Sequence, residues 1–267
     1  LAVGLLERPE KEPQKKTLPL GNLVLMAGVR YLELSTGSAA HDLALDEALL
    51  DVCEESGTGE ELLRIWESAE LAVVLGCGSR LLEETHAETC RAVGVPILRR
   101  ISGGSAVVIG PGCLMYSLLL CLEKHPELTG PLQIHSWVLE KLAAGLGQKL
   151  TGIRREGISD LAFGEKKVSG NSLRLKRRYV LYHGTLLYQF PLEQIGQLLR
   201  MPPRQPPWRR AREHLEFVTN LPLSRDELLV SLRKIWNATQ PWDDVPQQLV
   251  EALVAEKYSR AEWNERR

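Results

Sequence analysis

Three short segments bring together residue types that do chemistry. The first is Arg99-Arg100-Ile101-Ser102-Gly103-Gly104-Ser105-Ala106-Val107. Adjacent glycines let the backbone turn sharply and let a ligand come close to main-chain N–H groups. The two arginines supply cationic donors matched to phosphate or carboxylate oxygens. The segment makes a reasonable phosphate cradle, but it matches neither the Walker pattern nor the dinucleotide fingerprint. A tight hairpin with an arginine-rich entry is the ordinary alternative. The second segment is Ser159-Asp160-Leu161, followed by Lys167-Val168-Ser169-Gly170-Asn171-Ser172. A strand lysine with a glycine three residues on can project an ammonium into an open cleft and stabilise developing negative charge. Asp160 could hold magnesium, which favours carboxylate together with phosphate oxygens. A surface hairpin lysine is the plainer reading. The third is Tyr182-His183-Gly184-Thr185-Leu186-Leu187, where a lone histidine in an apolar strand is usually a satisfied core residue.

These segments need a scaffold, and the hydrophobic pattern supplies one. Val29 to Leu34 alternates as a half-buried strand does. His41 to Glu54 reads as a helix with Leu45, Ala48, Leu49 and Val52 on one face. Asp46, Glu47, Asp51 and Glu54 are expected towards solvent. Strands are predicted over Leu62 to Trp66, Ala72 to Leu75, Val95 to Arg99, Ala106 to Ile109 and Leu114 to Leu122. Glu83 to Ala92 and Ile134 to Leu146 read as helices, the latter stopped by Gly147. Further strands are Leu161 to Phe163, Lys167 to Ser169 and Tyr179 to Leu187, the last two separated by the basic stretch Arg174 to Arg178. Helices over Arg225 to Trp236 and Pro246 to Ala255 close the chain. There is no regular βαβ alternation, so the expected fold is α+β: a mixed β-sheet flanked by helices, in a single domain.

The chain has 267 residues, 33 basic and 34 acidic, for a formal net charge of −1. That balance fits a soluble globular protein and argues against non-specific nucleic-acid binding. The longest apolar run, Cys113 to Leu122, is too short to cross a bilayer. A basic-then-apolar secretory layout is missing at the start, so the expected compartment is cytoplasmic. Residues 1–25 read as a flexible leader and 26–267 as the folded domain. Cys53, Cys77, Cys90, Cys113 and Cys121 are scattered and odd in number. Neither a disulfide framework nor a structural metal is expected from them.

The order of these pieces resembles the catalytic domain shared by lipoate–protein ligases, octanoyltransferases and, more distantly, biotin–protein ligases. The resemblance begins with His41-Asp42-Leu43-Ala44-Leu45-Asp46-Glu47-Ala48 and continues through Leu63-Arg64-Ile65-Trp66 and Val73-Val74-Leu75-Gly76. The Arg-Arg-x-Ser-Gly-Gly, Lys-Val-Ser-Gly and His-Gly-Thr-Leu-Leu segments then follow in the family's order. Phe217 to Leu221, Lys257-Tyr258-Ser259 and Glu262-Trp263-Asn264 extend the likeness almost to the C-terminus.

The resemblance implies that the glycine loop wraps an acyl-adenylate and that the lysine contacts both the α-phosphate and the acyl carbonyl. Carried over by position, Arg100, Gly103, Gly104 and the backbone of Ser105, Ala106, Val107 and Val108 would hold the adenylate. Lys167 would be the catalytic cation. Gly170 would leave room for the acyl chain, with Gly76 and His183 on the same channel. Such chemistry needs positioning and charge neutralisation more than a dedicated acid or base. Two departures stand out: Ser105 replaces the loop's third glycine, and Ile109-Gly110 stands where ligases usually carry His-Asp. The run Gly110-Pro111-Gly112 is closer to some octanoyltransferases.

Octanoyltransferases of this fold pass the acyl group through a cysteine thiolate. No cysteine lies between Thr151 and Lys166, or from His183 onward, which leaves Cys77 and Cys113. The reading that follows is an AMP-forming lipoate–protein ligase using ATP and Mg2+, with lipoate as substrate. The alternatives are a thioester-dependent octanoyl or lipoyl transferase and a non-catalytic acyl- or nucleotide-binding module. The implied partners are lipoyl domains of 2-oxoacid dehydrogenases or the glycine cleavage H protein, and a separate accessory subunit. Lipoyl domains in the family's systems are acidic around the target lysine. A basic rim from Arg174, Lys176, Arg177 and Arg178, with Arg204, Arg209, Arg210 and Arg212, is therefore expected to dock them.

Overall fold

The computed structural model describes residues 28–267, so the expected leader, residues 1–25, lies outside them. After strand β1 (Arg30–Glu33) the chain enters helix α1 (Ala39–Ser56). The Ser38 hydroxyl caps its first turn, and Gly57, in the left-handed region at φ 58°, ends it. Next come β2 (Leu62–Glu67), β3 (Ala72–Leu75), short helices α2 (Leu81–Glu84) and α3 (Ala87–Ala92), β4 (Ile97–Arg99), β5 (Val107–Ile109) and β6 (Cys113–Cys121). Helix α4 (Pro131–Leu146) precedes β7 (Ile153–Glu156), β8 (Asp160–Phe163), β9 (Lys166–Leu175) and β10 (Tyr179–Leu187). The remainder is α5 (Glu193–Leu198), α6 (His214–Phe217), α7 (Arg225–Ile235), β11 (Gln240–Pro241), α8 (Gln247–Leu253), a π-helical turn at Val254–Tyr258, and α9 (Ala261–Asn264).

Eight strands form a mixed sheet in the order β11-β1-β2-β6-β10-β9-β8-β7, and β4-β3-β5 make a second, small mixed sheet. The mixed sheet with flanking helices agrees with the expectation. Side chains alternate along each strand, and β6 uses both faces. Leu114, Tyr116, Leu118 and Leu120 pack under α4 and α7. Cys113, Met115, Leu119 and Cys121 pack with α1 and the small sheet. Each fully buried leucine in these layers stabilises the fold by about 1.5–3 kcal/mol. Among the described residues no helix is long and apolar enough to cross a membrane.

Several expectations need correcting. Asp46 does not face solvent: it is 2 % exposed and Asp42 0 %. Both carboxylates meet the guanidinium of Arg64 on β2, at 2.6 and 2.5 Å. Glu47 holds Lys257 and the Tyr258 hydroxyl, each at 2.7 Å, and Asp51 pairs with Lys176. The expected helix Glu83 to Ala92 is broken at Thr85, because residues 85 and 86 pair instead with Leu199 and Leu198. Tertiary pairing overrides local propensity there. Strand β9 runs on to Leu175, taking in Arg174 and leaving only residues 176–178 as a turn.

Candidate active site

The register lays a polar row across four strands on the α1 side of the sheet. Arg64 sits opposite Ser117, Ser117 opposite His183, and His183 opposite Ser172. Asp46 hangs over this row, accepting from Ser117 Oγ at 2.7 Å and lying 3.4 Å from His183 Nδ1. Burial alone would push the Asp46 carboxyl up, but Arg64 and the hydrogen bonds of His183 and Ser117 hold it below the ordinary value. His183 Nε2 lies 2.5 Å from Ser102 Oγ, which also accepts from Arg100 Nε at 3.0 Å. The Asp46 carboxylate can only accept, so Nδ1 carries a proton facing it, and Nε2 pairs with the Ser102 hydroxyl. Both ring nitrogens are thus engaged. His183 borders the larger cleft, with its two ring nitrogens turned to Ser102 and Asp46.

The same chain of contacts shapes the glycine loop. Arg100 is only 7 % exposed, and its guanidinium donates to the carbonyls of Gly103, Ser105 and Val74. Ser172 Oγ donates to Gly103 O, and Ser79 Oγ donates to Gly104 O. The loop's carbonyls are therefore tied back to the protein, which favours an anion on the opposite side. Arg100 acts as a clamp on the loop, and burial lowers its guanidinium to about 10. Its neighbour Arg99 points the other way, to the carbonyls of Gly76, Ser79 and Asn264. Gly104 needs its φ of +85°; Ser105 is not among the positive-φ residues, so a serine fits without strain. Sequence reasoning missed Glu84, whose carboxylate accepts from Ala106 N–H at 2.7 Å. The helix break at Thr85 is what brings it there.

The glycines have clear but different tasks. A Cβ on Gly76 would lie 1.9 Å from Gly104 O, so Gly76 packs against the loop and does not line a channel. A Cβ on Gly170 would lie 2.9 Å from Lys167 Nζ, so Gly170 makes room for the lysine where both chambers are bordered. Gly76→Ala must push the loop outward. We expect ligand affinity and acyl transfer to fall at least tenfold, with about 1–3 kcal/mol lost in denaturant melts. Unchanged affinity would mean the loop does not bind ligand.

Lys167 owes its position to a β-bulge. Leu161 pairs with Ser169 and Ala162 with Lys167, so Val168 is the extra residue on β9. The bulge sets the Lys167 ammonium 2.6 Å from Asp160 Oδ1, while Trp208 Nε1 donates to Asp160 Oδ2 at 3.1 Å. Both oxygens of Asp160 are engaged, and among the described residues no three or more His, Cys, Asp or Glu side chains are grouped to hold a metal. The residues present do not fit a resident magnesium site at Asp160.

Two connected chambers meet at this lysine. The larger, about 470 Å³, has an apolar inner end of Leu43, Val74 and Met115. The smaller, about 150 Å³, is walled by Val108, Leu187, Ile195, Leu199, Phe217 and Val218. Lys167, Gly170, Thr185 and Ser105 to Val107 border both. No cysteine lines either chamber. Cys53, Cys90, Cys113 and Cys121 are buried and Cys77 is half-buried. Burial pushes the Cys113 thiol far above its ordinary value.

The basic residues divide. Lys176 and Arg178 sit at the far end of β9, nine residues from Lys167, or about 30 Å at 3.3 Å per residue. There they pack against Asp51, Glu54 and Gly57 of α1. They form no rim around the cleft. Arg204 does border both chambers, Arg209 borders the smaller one while stacking on Phe217, and Arg212 stacks on Phe217.

Residues 38–238 match the lipoyl protein ligase A/B catalytic domain. An Aeropyrum pernix protein carrying the lipoate–protein ligase A name is 32% identical over 168 residues, 63% of this chain and 61% of that protein. The match thus spans about three-fifths of that relative. Octanoyltransferase LipM of Carboxydothermus hydrogenoformans is 26% identical over 194 residues, covering 64% of this chain and 69% of LipM. The fold is shared with the bipartite lipoate–protein ligase from Thermoplasma acidophilum, solved in a study that includes its E2 lipoyl domain. The TM-score is 0.75 at 22% identity, over 89% of this chain and 96% of that one. It is shared equally with a lipoate–protein ligase A bound with ATP, at TM-score 0.71 and 22% identity over 89% and 98%. The chain belongs to the lipoyl protein ligase A/B catalytic-domain family.

Proposed function

We propose that this protein attaches lipoate to a lysine of lipoyl carrier domains by forming and using an acyl-adenylate. The observation that carries this reading is Lys167 standing at the junction of two chambers that no cysteine lines. Residues 1–27 contain no cysteine either, so no thiol can arrive from there. The larger chamber's apolar end suits an acyl chain, and the smaller, bordered by Ser105 to Val108 and Arg204, suits the nucleotide. The acyl carboxylate oxygen bonds to the α-phosphorus of ATP and pyrophosphate leaves. The acceptor lysine nitrogen then bonds to the acyl carbonyl, AMP leaves, and the amine gives up a proton. Lys167 neutralises charge on the phosphate and on the carbonyl oxygen as each step proceeds. Magnesium arrives with ATP as substrate complex. The acceptors in this reading are lipoyl domains of 2-oxoacid dehydrogenases or the glycine cleavage H protein, in the cytoplasm, with an accessory subunit assisting.

One incubation tests the reading: protein, free lipoate, MgATP and an apo lipoyl domain, with mass spectrometry of the acceptor. Acceptor mass gained only with ATP supports it. Similarity to LipM and the Gly110-Pro111-Gly112 turn favour a second reading, transfer from an octanoyl thioester without ATP. The double variant Cys77→Ala/Cys113→Ala separates the two. We expect it to keep activity within about twofold of the parent, because replacing a thiol that touches no reacting atom removes no transition-state contact. Loss of turnover in a folded double variant, with an acyl-cysteine trapped in the parent, would establish the transferase.

A further inference from the structure

Among the described residues Asp160 is the one charged group paired with Lys167, and it is shared. Its Oδ1 faces the ammonium and its Oδ2 accepts from the Trp208 indole. Trp208 lies in residues 199–213, the segment between α5 and α6 that crosses the cleft. From this segment Arg204 and Pro206 border both chambers, and Gln205 and Pro207 the larger one. The indole is fixed by its neighbours. Its ring lies 4.5 Å from that of Phe217, Gly157 is bare where a Cβ would come within 3.3 Å of it, and Arg212 stacks on its face. The residues after it are held in an unusual shape, with Arg210 at φ 53° and Ala211 at φ 55°. Such conformations persist only where the surroundings over-determine them.

We infer that Asp160 is a positioning residue that holds the Lys167 ammonium at the chamber junction and, through Trp208, ties it to the segment crossing the cleft. This rests on the reading of Lys167 as the site's cation. A phosphate entering the junction competes with Asp160 for the ammonium, and the change at Oδ2 reaches the crossing segment through the indole. Asp160 thus sets how strongly ligand phosphate is held before reaction and keeps the lysine in register during it. Trp208 sets how firmly Asp160 does so.

Trace labelling of Lys167 with acetic anhydride, read by peptide mass spectrometry, tests the lysine's restraint without any nucleotide. An ion-paired ammonium is a poor nucleophile, so Asp160→Asn should be labelled at least about fivefold faster. Trp208→Phe should slow labelling about twofold, because Asp160 loses a donor and draws harder on the lysine. In the Asp160→Asn background Trp208→Phe should do nothing, a silence that a merely structural tryptophan would not produce. With AMP and no divalent ion, Asp160→Asn should bind about threefold to tenfold tighter while its turnover number for acyl transfer falls at least tenfold. Added Mg2+ should not restore that turnover. The inference is overturned if Asp160→Asn labels at the parent's rate, or if its only defect is weakened MgATP binding relieved by excess Mg2+, the signature of a metal ligand. If the labelling cycle behaves as stated but the parent binds no AMP in calorimetry, the nucleotide reading of the site falls and the positioning role stands.

Discussion

Lys167→Ala is expected to lower acyl transfer by about 10²–10³, the usual cost of removing one preorganised charge from a transition state. The ammonium stands where both chambers meet, and the described cationic side chains bordering both are Lys167 and Arg204. Among the described residues its ion pair is with Asp160, which keeps its bond from Trp208, so the circular dichroism spectrum should match the parent's. The measurement is single-turnover transfer to an apo acceptor at saturating lipoate and ATP. Saturation matters because a loss confined to binding would vanish there, whereas a loss of transition-state stabilisation persists. A folded variant with the parent's rate would remove Lys167 from the chemistry.

The second large effect falls on stability. Arg64→Ala leaves Asp42 and Asp46 buried without their cation. Breaking a buried pair by deleting one partner costs about 3–5 kcal/mol, a large part of a typical 5–15 kcal/mol fold. We expect a large drop in melting temperature. The pH response of Asp46 should also reverse. In the parent, the Asp46 carboxyl is held below its ordinary value. Its contribution is therefore complete above that ordinary value and is lost as pH falls through the depressed one. Burial already raises Asp42 in the parent; without Arg64 it acts unopposed on both carboxyls, so the folded variant binds more protons and gains stability relative to the parent as pH falls. Adding Asp42→Asn and Asp46→Asn to the variant should recover most of the loss. A melting temperature of Arg64→Ala within a few degrees of the parent's, independent of pH, would contradict the pairing.

Much of the fold was legible in the sequence because its central strands are long and apolar: β6 and β10 run nine buried residues each. Lys167, Gly170 and the glycine loop were legible because glycine spacing and a lone strand lysine are local signals. What the sequence hid is cooperative. Asp46 looked like one more solvent-facing acid until α1 was seen lying over Arg64. The signal was present all the same: Arg64 interrupts the inward row Leu62, Trp66, and Asp42 and Asp46 are four apart on one helix face. Arg100 looked like a ligand contact because its target, the carbonyls of its own loop, exists only once the loop is folded. The task of Gly76 was equally invisible, because it makes room for the glycine loop. The basic turn at 176–178 was misplaced because β9 is longer than its apolar pattern suggested.

The pairing of β11 with β1 joins Arg30 to Gln240 and Tyr31 to Pro241. While the chain is being made, the outer edge of β1 must wait for a partner about 200 residues behind it, roughly 10–40 seconds at ordinary translation rates. During that time no other described strand pairs with this edge, and unpaired edges are the kind that recruit neighbours into aggregates. The partner that finally arrives is two residues long, and one of them, Pro241, has no N–H to donate. Among the described residues this late pairing covers Arg30 and Tyr31 of that edge, and yield in cells should depend on chaperones that shield β1 until it forms.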